Sequence, residues 1–244
     1  MKIKVINPNT SPEMTNSIHQ AAIKHSRPDT QIVTVCPEMG PISIENFHDQ
    51  IYAGIGLVTE VRKGVKDGFD AFVVAAACDP GIQAAKELAE APVIGMAEAG
   101  IYMASLVAEK FSIITVLPKI KPLIEGALKR TGLSDRCLSI RTTNLCVLDC
   151  EDKPDLVKKE LSREARLALE ADGAEAIWLG CAGMASFADD LEKEIGVPVL
   201  DGVVCAVKMA EALVDMNKFT SKRLTYDQPV KKEYKGYPEG LLFG

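Results

Sequence analysis

The chain is poor in histidine and has no closely paired cysteines. Its three histidines all lie in the first fifth of the sequence, at His19, His25 and His48. The seven cysteines include no Cys-x-x-Cys pair, and the closest two are Cys146 and Cys150. Structural zinc sites generally use paired cysteines or clusters of cysteine and histidine, and dithiol redox sites generally use Cys-x-x-Cys. We therefore expect neither a metal site nor a dithiol redox site.

The chain also lacks long apolar runs and an excess of positive charge. No apolar run reaches the roughly 18 residues that a membrane-spanning helix needs. The formal net charge is −6, which is the wrong sign for binding a phosphate backbone or an anionic membrane. The basic stretch from Lys218 to Lys235 is interpreted as a solvated arm. The opening residues KIKVI show no signal-peptide pattern, so we expect a cytoplasmic protein with free thiols.

What the sequence does contain is a regular alternation of short apolar runs and longer amphipathic stretches. The alternation predicts an α/β fold with parallel strands. Runs such as FVVAAA are apolar throughout, as expected of strands buried on both faces. The predicted strands cover residues 2–8, 30–37, 69–77, 91–96, 111–117, 137–144, 174–181 and 197–201. The predicted helices cover residues 11–26, 48–67, 80–90, 98–109, 119–131, 153–171, 184–194 and 202–216.

One pattern occurs twice along the chain. Residues 67–78 read DGFDAFVVAAAC and residues 172–181 read DGAEAIWLGC, and each is followed by a helix, a Pro-Val strand and a helix of small residues. The repeat favours two similar lobes. The alternative is that any α/β protein repeats strand-helix units, but here a cysteine recurs at the matching place in both.

Three predicted strand ends combine polar and small residues, at residues 7–11, 78–81 and 180–183. Ligands of parallel α/β sheets bind at the carboxyl ends of the strands. Small residues let a ligand approach the backbone, and exposed amides at a helix start can hold an anion. These segments are therefore the candidate site.

Cys78 and Cys181 are the candidate reactive groups. Asp79 is a suitable N-cap and Pro80 a suitable first helical residue, so Cys78 is expected just before a helix N-terminus. That position would lower its thiol pKa, although the neighbouring Asp79 carboxylate would oppose the lowering. A single buried cysteine is usually inert, but the matched placement of these two favours a function. The remaining cysteines lack this context and are expected to be inert: Cys36, Cys137, Cys146, Cys150 and Cys205.

Neither Cys78 nor Cys181 has a histidine nearby in the sequence, which limits the reactions that these two thiols can catalyse. A Cys-His nucleophile needs a base within reach, and no histidine follows residue 48. Two thiols that face one another across a cleft can instead remove a proton from a carbon and return one to its other face. That reaction inverts the carbon, and amides at the strand ends could stabilise the intermediate enolate.

Several segments in order resemble the hydantoin racemases of the aspartate/glutamate racemase superfamily: VINPNTS, DPG, PVIGMAEA, FSIITVL, LGCAGMA and VPVLDGV. The resemblance covers residues 1–225. It implies two α/β lobes related by a pseudo-two-fold axis, with an exchanged final helix and an active site in the cleft between them. It also implies two catalytic cysteines, no pyridoxal phosphate or other cofactor, no metal, and a hydantoin or allantoin as substrate.

The resemblance also suggests domain boundaries and binding residues. The first lobe comprises residues 1–97 and 203–225, the second 98–202, and a tail 226–244. The catalytic pair is Cys78 and Cys181, and the substrate-binding candidates are Asn9, Thr10, Ile44, Asp79, Thr115, Ala182 and Gly183. For several of these a structural role is the alternative: a turn for Asn9 and Thr10, a strand position for Thr115, and the core for Ile44. In the family the first cysteine usually lies two residues further from the Asp-Pro-Gly sequence, where this chain has Ala76.

Other activities occur on the same fold. An aspartate/glutamate-type amino-acid racemase, a maleate isomerase and an arylmalonate decarboxylase-like enzyme remain alternatives, and the last needs only one catalytic cysteine. A non-catalytic binding module is the alternative from another class. For partners we expect a small-molecule substrate and a homo-oligomer, with no nucleic acid and no membrane.

Overall fold

The computed structural model describes residues 1–236. Its strands are β1 (Lys2–Ile6), β2 (Gln31–Val35), β3 (Ala71–Val74), β4 (Val93–Gly95), β5 (Phe111–Thr115), β6 (Cys137–Thr142), β7 (Ala176–Leu179) and β8 (Val199–Asp201). Its α-helices are α1 (Pro12–His25), α2 (Phe47–Lys66), α3 (Ile82–Leu88), α4 (Met96–Val107), α5 (Lys121–Thr131), α6 (Asp149–Asp152), α7 (Pro154–Glu170), α8 (Ala188–Ile195) and α9 (Gly202–Asp215). Short 3₁₀ helices cover Pro118–Ile120, Ser134–Arg136 and Ala182–Phe187.

The strands form two parallel sheets of four strands each, in the orders β2-β1-β3-β4 and β6-β5-β7-β8. The second order repeats the first if β5 takes the place of β1. All residues of β3 and β7 are buried, because helices cover both faces of each sheet. The predicted α/β class with two similar sheets is confirmed, and the two cysteines follow the equivalent strands β3 and β7.

Two helices connect the sheets. Helix α4 follows β4 of the first sheet yet packs against β7 of the second, while α9 follows β8 of the second sheet yet packs against β3 and β4 of the first. Both helices use glycine where they approach the buried Trp178: a Cβ on Gly100 would lie 2.1 Å from Trp178 Nε1, and one on Gly202 would lie 2.9 Å from the same atom. This exchange of helices between the two sheets is compatible with the lobe boundaries given above, which remain a prediction.

All eight predicted strands and all eight predicted helices are present, but most strands end about two residues earlier than predicted and α8 begins at Ala188 instead of residue 184. Strand β3 ends at Val74 instead of residue 77, and α3 begins at Ile82 after Gly81 instead of at Pro80. Helix α6 and the 3₁₀ helices were not predicted. No helix within residues 1–236 is long and apolar enough to cross a membrane.

The segment after α9 returns to the first half of the molecule. The Thr220 N–H donates to the carbonyl of Glu90 at 2.7 Å, and Lys222 Nζ donates to the carbonyls of Lys86 and Glu87 at 2.7 and 2.8 Å. The predicted solvated arm is therefore anchored at these two residues and otherwise largely exposed up to residue 236. Residues 237–244 of the predicted tail lie outside the described part.

Candidate active site

A small cavity lies where the carboxyl ends of the two sheets meet. Its volume is about 30 Å³, which is enough for one or two water molecules and too small for an organic substrate. The lining residues are Asn9, Met14, Ile44, Ala75, Ala76, Ala77, Cys78, Val116, Ile120, Val147, Gly180, Cys181 and Ala182. Larger cavities of about 460 Å³ and 330 Å³ lie beside α1 and α2, but neither touches Cys78 or Cys181. We therefore choose this cavity as the candidate active site because both cysteines line it, although it is smaller than the other two.

The chain turns sharply between β3 and Cys78. The Asp79 N–H donates to the carbonyl of Ala76 at 2.9 Å, which closes a turn over residues 76–79. Asp79 has a φ of 45°, a left-handed conformation that is uncommon for residues other than glycine. The turn brings both Ala76 and Cys78 to the cavity wall. The segment after β3 is therefore not extended.

Asp79 fixes this turn through the neighbouring helix. Its buried carboxylate accepts hydrogen bonds from the N–H groups of Ala97 and Glu98, both at 3.0 Å, in the first turn of α4. A Cβ on Gly95 would lie 2.2 Å from the Asp79 carboxyl carbon, so the contact requires glycine there. Burial raises the pKa of Asp79 to about 7. The prediction that Asp79 caps α3 is wrong, since it caps α4, and its carboxylate does not line the cavity.

The surroundings of Cys78 favour the protonated form of its thiol. Only 1% of Cys78 is exposed, and burial, reinforced by the negative charge of Asp79, raises the pKa of its thiol to about 12. The predicted lowering of this pKa by a helix N-terminus is therefore wrong. The Cys78 carbonyl accepts long hydrogen bonds from Gln50 Nε2 at 3.4 Å and from Arg130 Nη2 at 3.5 Å, so residues of both halves hold this turn.

The surroundings of Cys181 act in the opposite direction. Its pKa is lowered, chiefly by a hydrogen bond from the Cys150 thiol, and also by the N–H groups of Gly183 and Met184. Burial and the carboxylate of Glu45 oppose the lowering. The Met184 N–H also donates to the carbonyl of Cys181 at 3.0 Å. The surroundings favour a thiolate at Cys181 and a neutral thiol at Cys78.

Cys150 and Glu45 belong to this site although sequence reasoning missed them. Cys150 was expected to be inert; it is buried beside Gly183 and contributes to the lowered pKa of Cys181. Glu45 Oε1 accepts the N–H of Val147 at 2.9 Å and so joins the cavity walls formed by Ile44 and Val147. No sequence spacing could reveal these contacts, because they join the two halves or cross a long separation in the chain.

Three of the predicted substrate-binding residues line the cavity: Asn9, Ile44 and Ala182. The Asn9 side chain is already engaged, because its Oδ1 accepts from Asn7 Nδ2 at 2.7 Å and from the Ser11 N–H at 2.9 Å. Asn9 thus has the turn role considered for it and also borders the cavity.

The other predicted residues lie behind the cavity wall. Thr115 is fully buried and its hydroxyl donates to the carbonyl of Gly180 at 2.8 Å. The Thr10 N–H donates to the carbonyl of Pro41 at 3.0 Å. Gly183 faces Cys150. These residues support the loops that carry Cys181 and Ile44.

Comparison with known proteins agrees with this arrangement. Residues 3–210 match the Asp/Glu/Hydantoin racemase family. The chain belongs to this family. A hydantoin racemase of Pseudomonas sp. (strain NS671) is 53% identical over 99% of this chain and 97% of the relative. An allantoin racemase from Klebsiella pneumoniae has a TM-score of 0.96 and 42% identity over 99% of this chain and 98% of that one.

A solved arylmalonate decarboxylase has a TM-score of 0.66 at 15% identity, covering 87% of this chain and 92% of that one, and so shares the fold alone. The family match and the 53% identical hydantoin racemase confirm the resemblance found in the sequence. The chain is an isomerase of the racemase class.

Proposed function

We propose that this racemase inverts C5 of a 5-substituted hydantoin without a cofactor, with Cys181 as the base and Cys78 as the acid. The observation that supports this most is that two cysteines from equivalent strands border one cavity, where the surroundings raise the pKa of Cys78 and lower that of Cys181. A base must be charged and an acid protonated before the first proton moves. The opposite directions of the two pKa shifts favour that arrangement.

The first step moves a proton from carbon to sulfur. The Cys181 thiolate takes the proton from C5, and the electron pair of the C–H bond passes into the ring carbonyl to give a planar enolate. The Cys78 thiol then donates its proton to the opposite face of C5. The product is the other enantiomer, and the enzyme holds a Cys181 thiol and a Cys78 thiolate.

The enzyme must then recover its resting state. Cys78 lies in surroundings that strongly favour its protonated form, so its thiolate takes up a proton readily, and Cys181 releases one. Because the thiols exchange protons with water, the hydrogen gained by the product originates in solvent. In the reverse direction the two cysteines exchange roles.

The walls of the cavity favour an apolar C5 substituent. Met14, Ile44, Val116, Ile120 and Val147 surround the two cysteines, and Asn9 contributes the one polar side chain besides the thiols. A buried polar group without a hydrogen-bond partner costs free energy. An alkyl substituent fits such walls better than the ureido group of allantoin, so we favour hydantoins over allantoin.

The test is polarimetry of purified enzyme with L-5-isobutylhydantoin, allantoin and L-aspartate. We expect loss of optical rotation with the hydantoin, and at least about a 10²-fold lower rate for Cys181→Ser, the usual effect of losing a general base. Cys205→Ser, which changes a buried cysteine that is not at the cavity, is the matched control. Near wild-type activity of Cys181→Ser would contradict the mechanism, and racemisation of aspartate alone would contradict the substrate.

A further inference from the structure

The larger cavity beside α1, called here the α1 cavity, is separate from the candidate active site. Its volume is about 460 Å³, and within residues 1–236 it shares no lining residue with the cavity between the two cysteines. Helix α1 forms one wall, and residues from the second half of the molecule and from α9 form the others. A cavity of this size can hold a small organic molecule.

Asp201 is the buried acidic residue of the α1 cavity. It lines the cavity, is 8% exposed and caps α9, where its Oδ1 accepts the N–H of Val203 at 2.8 Å. Its Oδ2 is buried and has no hydrogen-bond partner among residues 1–236. Buried carboxylate oxygens generally accept hydrogen bonds, and an unpaired one costs free energy. A donor that enters the cavity beside Asp201 would therefore supply a hydrogen bond that the protein does not.

The charges around the cavity leave Asp201 without compensation. Lys24 of α1 pairs with Asp189 of α8, with Nζ and Oδ2 2.5 Å apart, and both residues line the cavity. Burial, reinforced by the charge of Asp189, raises the pKa of Asp201 to about 6, although the N–H groups of Val203 and Val204 oppose the rise. Asp201 is thus largely charged at pH 8 and favours a cationic donor over a neutral one.

The rest of the cavity wall is partly apolar. Six small or aliphatic residues contribute to it: Ala21, Ala185, Ala188, Val199, Leu200 and Val204. Contact with such residues removes apolar surface of a ligand from water. A ligand that joins a charged group to an apolar body can therefore use both parts of the wall.

We propose that the α1 cavity is a second binding site, which takes a small organic cation with an apolar body, such as an amine, amidine or guanidine. The cationic group donates to Asp201, and the apolar body packs against the aliphatic residues. The site requires neither Cys78 nor Cys181, so the proposal is independent of the reaction proposed above.

The experiment uses benzamidine as the probe, because it joins a charged amidinium to an apolar ring. Titration calorimetry of the full chain at pH 8 measures its Kd. Benzoate has nearly the same shape and the opposite charge, and is the control ligand. We expect benzamidine to bind and benzoate to show no binding. The absence of benzamidine binding, or equally tight binding of benzoate, would overturn the proposal.

A conservative variant tests the role of Asp201. Asp201→Asn keeps a side-chain oxygen for the Val203 N–H and so keeps the cap of α9, but it removes the charge. We expect the Kd of benzamidine to rise at least about tenfold, a usual effect of losing a hydrogen bond to a charged group. Asp215→Asn removes the same charge at the other end of α9, outside the cavity, and should leave the Kd unchanged. An unchanged Kd in Asp201→Asn would contradict the proposal.

Three further variants locate the bound probe. Ala21→Phe places a ring in the cavity and should abolish binding, whereas Ile23→Phe changes a residue of the same helix that is 42% exposed and outside the cavity and should not affect the Kd. Cys181→Ser should bind benzamidine like wild type, and loss of binding there would assign the probe to the active-site cavity and overturn the proposal. Thermal unfolding shows whether each variant has folded, and if Ala21→Phe has not, the comparison of Asp201→Asn with Asp215→Asn decides.

Discussion

The preference for an apolar substituent gives a quantitative prediction. We expect kcat/KM for L-5-isobutylhydantoin to exceed that for allantoin, because the substituent must lie among Met14, Ile44, Val116, Ile120 and Val147. The ureido group of allantoin carries one carbonyl and several N–H groups. If two of these polar groups stay unpaired, each costs about 1–3 kcal/mol, for a sum of about 2–6 kcal/mol. Each 1.4 kcal/mol corresponds to about a factor of ten in rate, so kcat/KM for L-5-isobutylhydantoin should exceed that for allantoin by at least about 30-fold.

The same walls offer a matched pair of variants. Ile44→Asn places an amide at the cavity wall, and pairing one ureido group should reduce the preference by about tenfold, or about 1.4 kcal/mol. Ile42→Asn makes the same change at a neighbouring residue that is 51% exposed and outside the cavity, and should leave the preference unchanged. Initial rates by polarimetry give both ratios. A wild-type enzyme that favours allantoin, or equal effects of the two variants, would refute the reasoning.

The remaining predictions concern the acid, the absence of a metal and the stability of the first half. Cys78→Ala should lower racemisation by at least about 10²-fold in the polarimetric assay, and a rate within tenfold of wild type would assign the acid to another group. Dialysis against EDTA should leave the rate unchanged, since residues 1–236 bring together no three candidate metal ligands; a loss restored by zinc would contradict this. Lys4→Met should destabilise the fold by about 1–3 kcal/mol in urea unfolding at pH 7, because the buried Glu60 loses its 2.9 Å ion pair to Lys4 and keeps only the 2.7 Å ion pair to Lys63. Burial opposes ionisation of Glu60, but hydrogen bonds from Lys63 and Lys4 outweigh burial and lower the pKa of Glu60. The stabilisation by the ion pair should therefore fade as the pH falls below about 4.3. A difference in unfolding free energy below about 1 kcal/mol between wild type and Lys4→Met at pH 7 would contradict this prediction.

The sequence predicts the fold well because parallel strands and amphipathic helices leave strong local patterns. The apolar runs around β3 and β7 and the repeat that ends in Cys78 and Cys181 place both thiols at sheet ends. The end of β3 was predicted too late, because Ala75, Ala76 and Ala77 continue the apolar run although the chain has already turned. An apolar alanine run does not distinguish a strand from a buried turn.

The protonation states could not be predicted because they depend on contacts between distant segments. Cys78 was expected to ionise more easily beside a helix N-terminus, but Asp79 turns to α4 and burial dominates. Cys181 receives its main donor from Cys150, which nothing in the sequence distinguishes from the other thiols. Local sequence patterns thus located the two cysteines, while their charges follow from tertiary packing.

The central claim, proton transfer between two different thiols, is tested most directly by racemisation in D₂O. One enantiomer of 5-isobutylhydantoin is incubated with enzyme, the enantiomers are separated early in the reaction, and deuterium at C5 is measured by mass spectrometry after correction for exchange without enzyme. Because one thiol takes the substrate proton and another delivers a proton exchanged with solvent, the product should carry deuterium while the remaining substrate keeps its hydrogen. Product that retains the original hydrogen would show that a single group both removes and returns the proton, and would contradict the account.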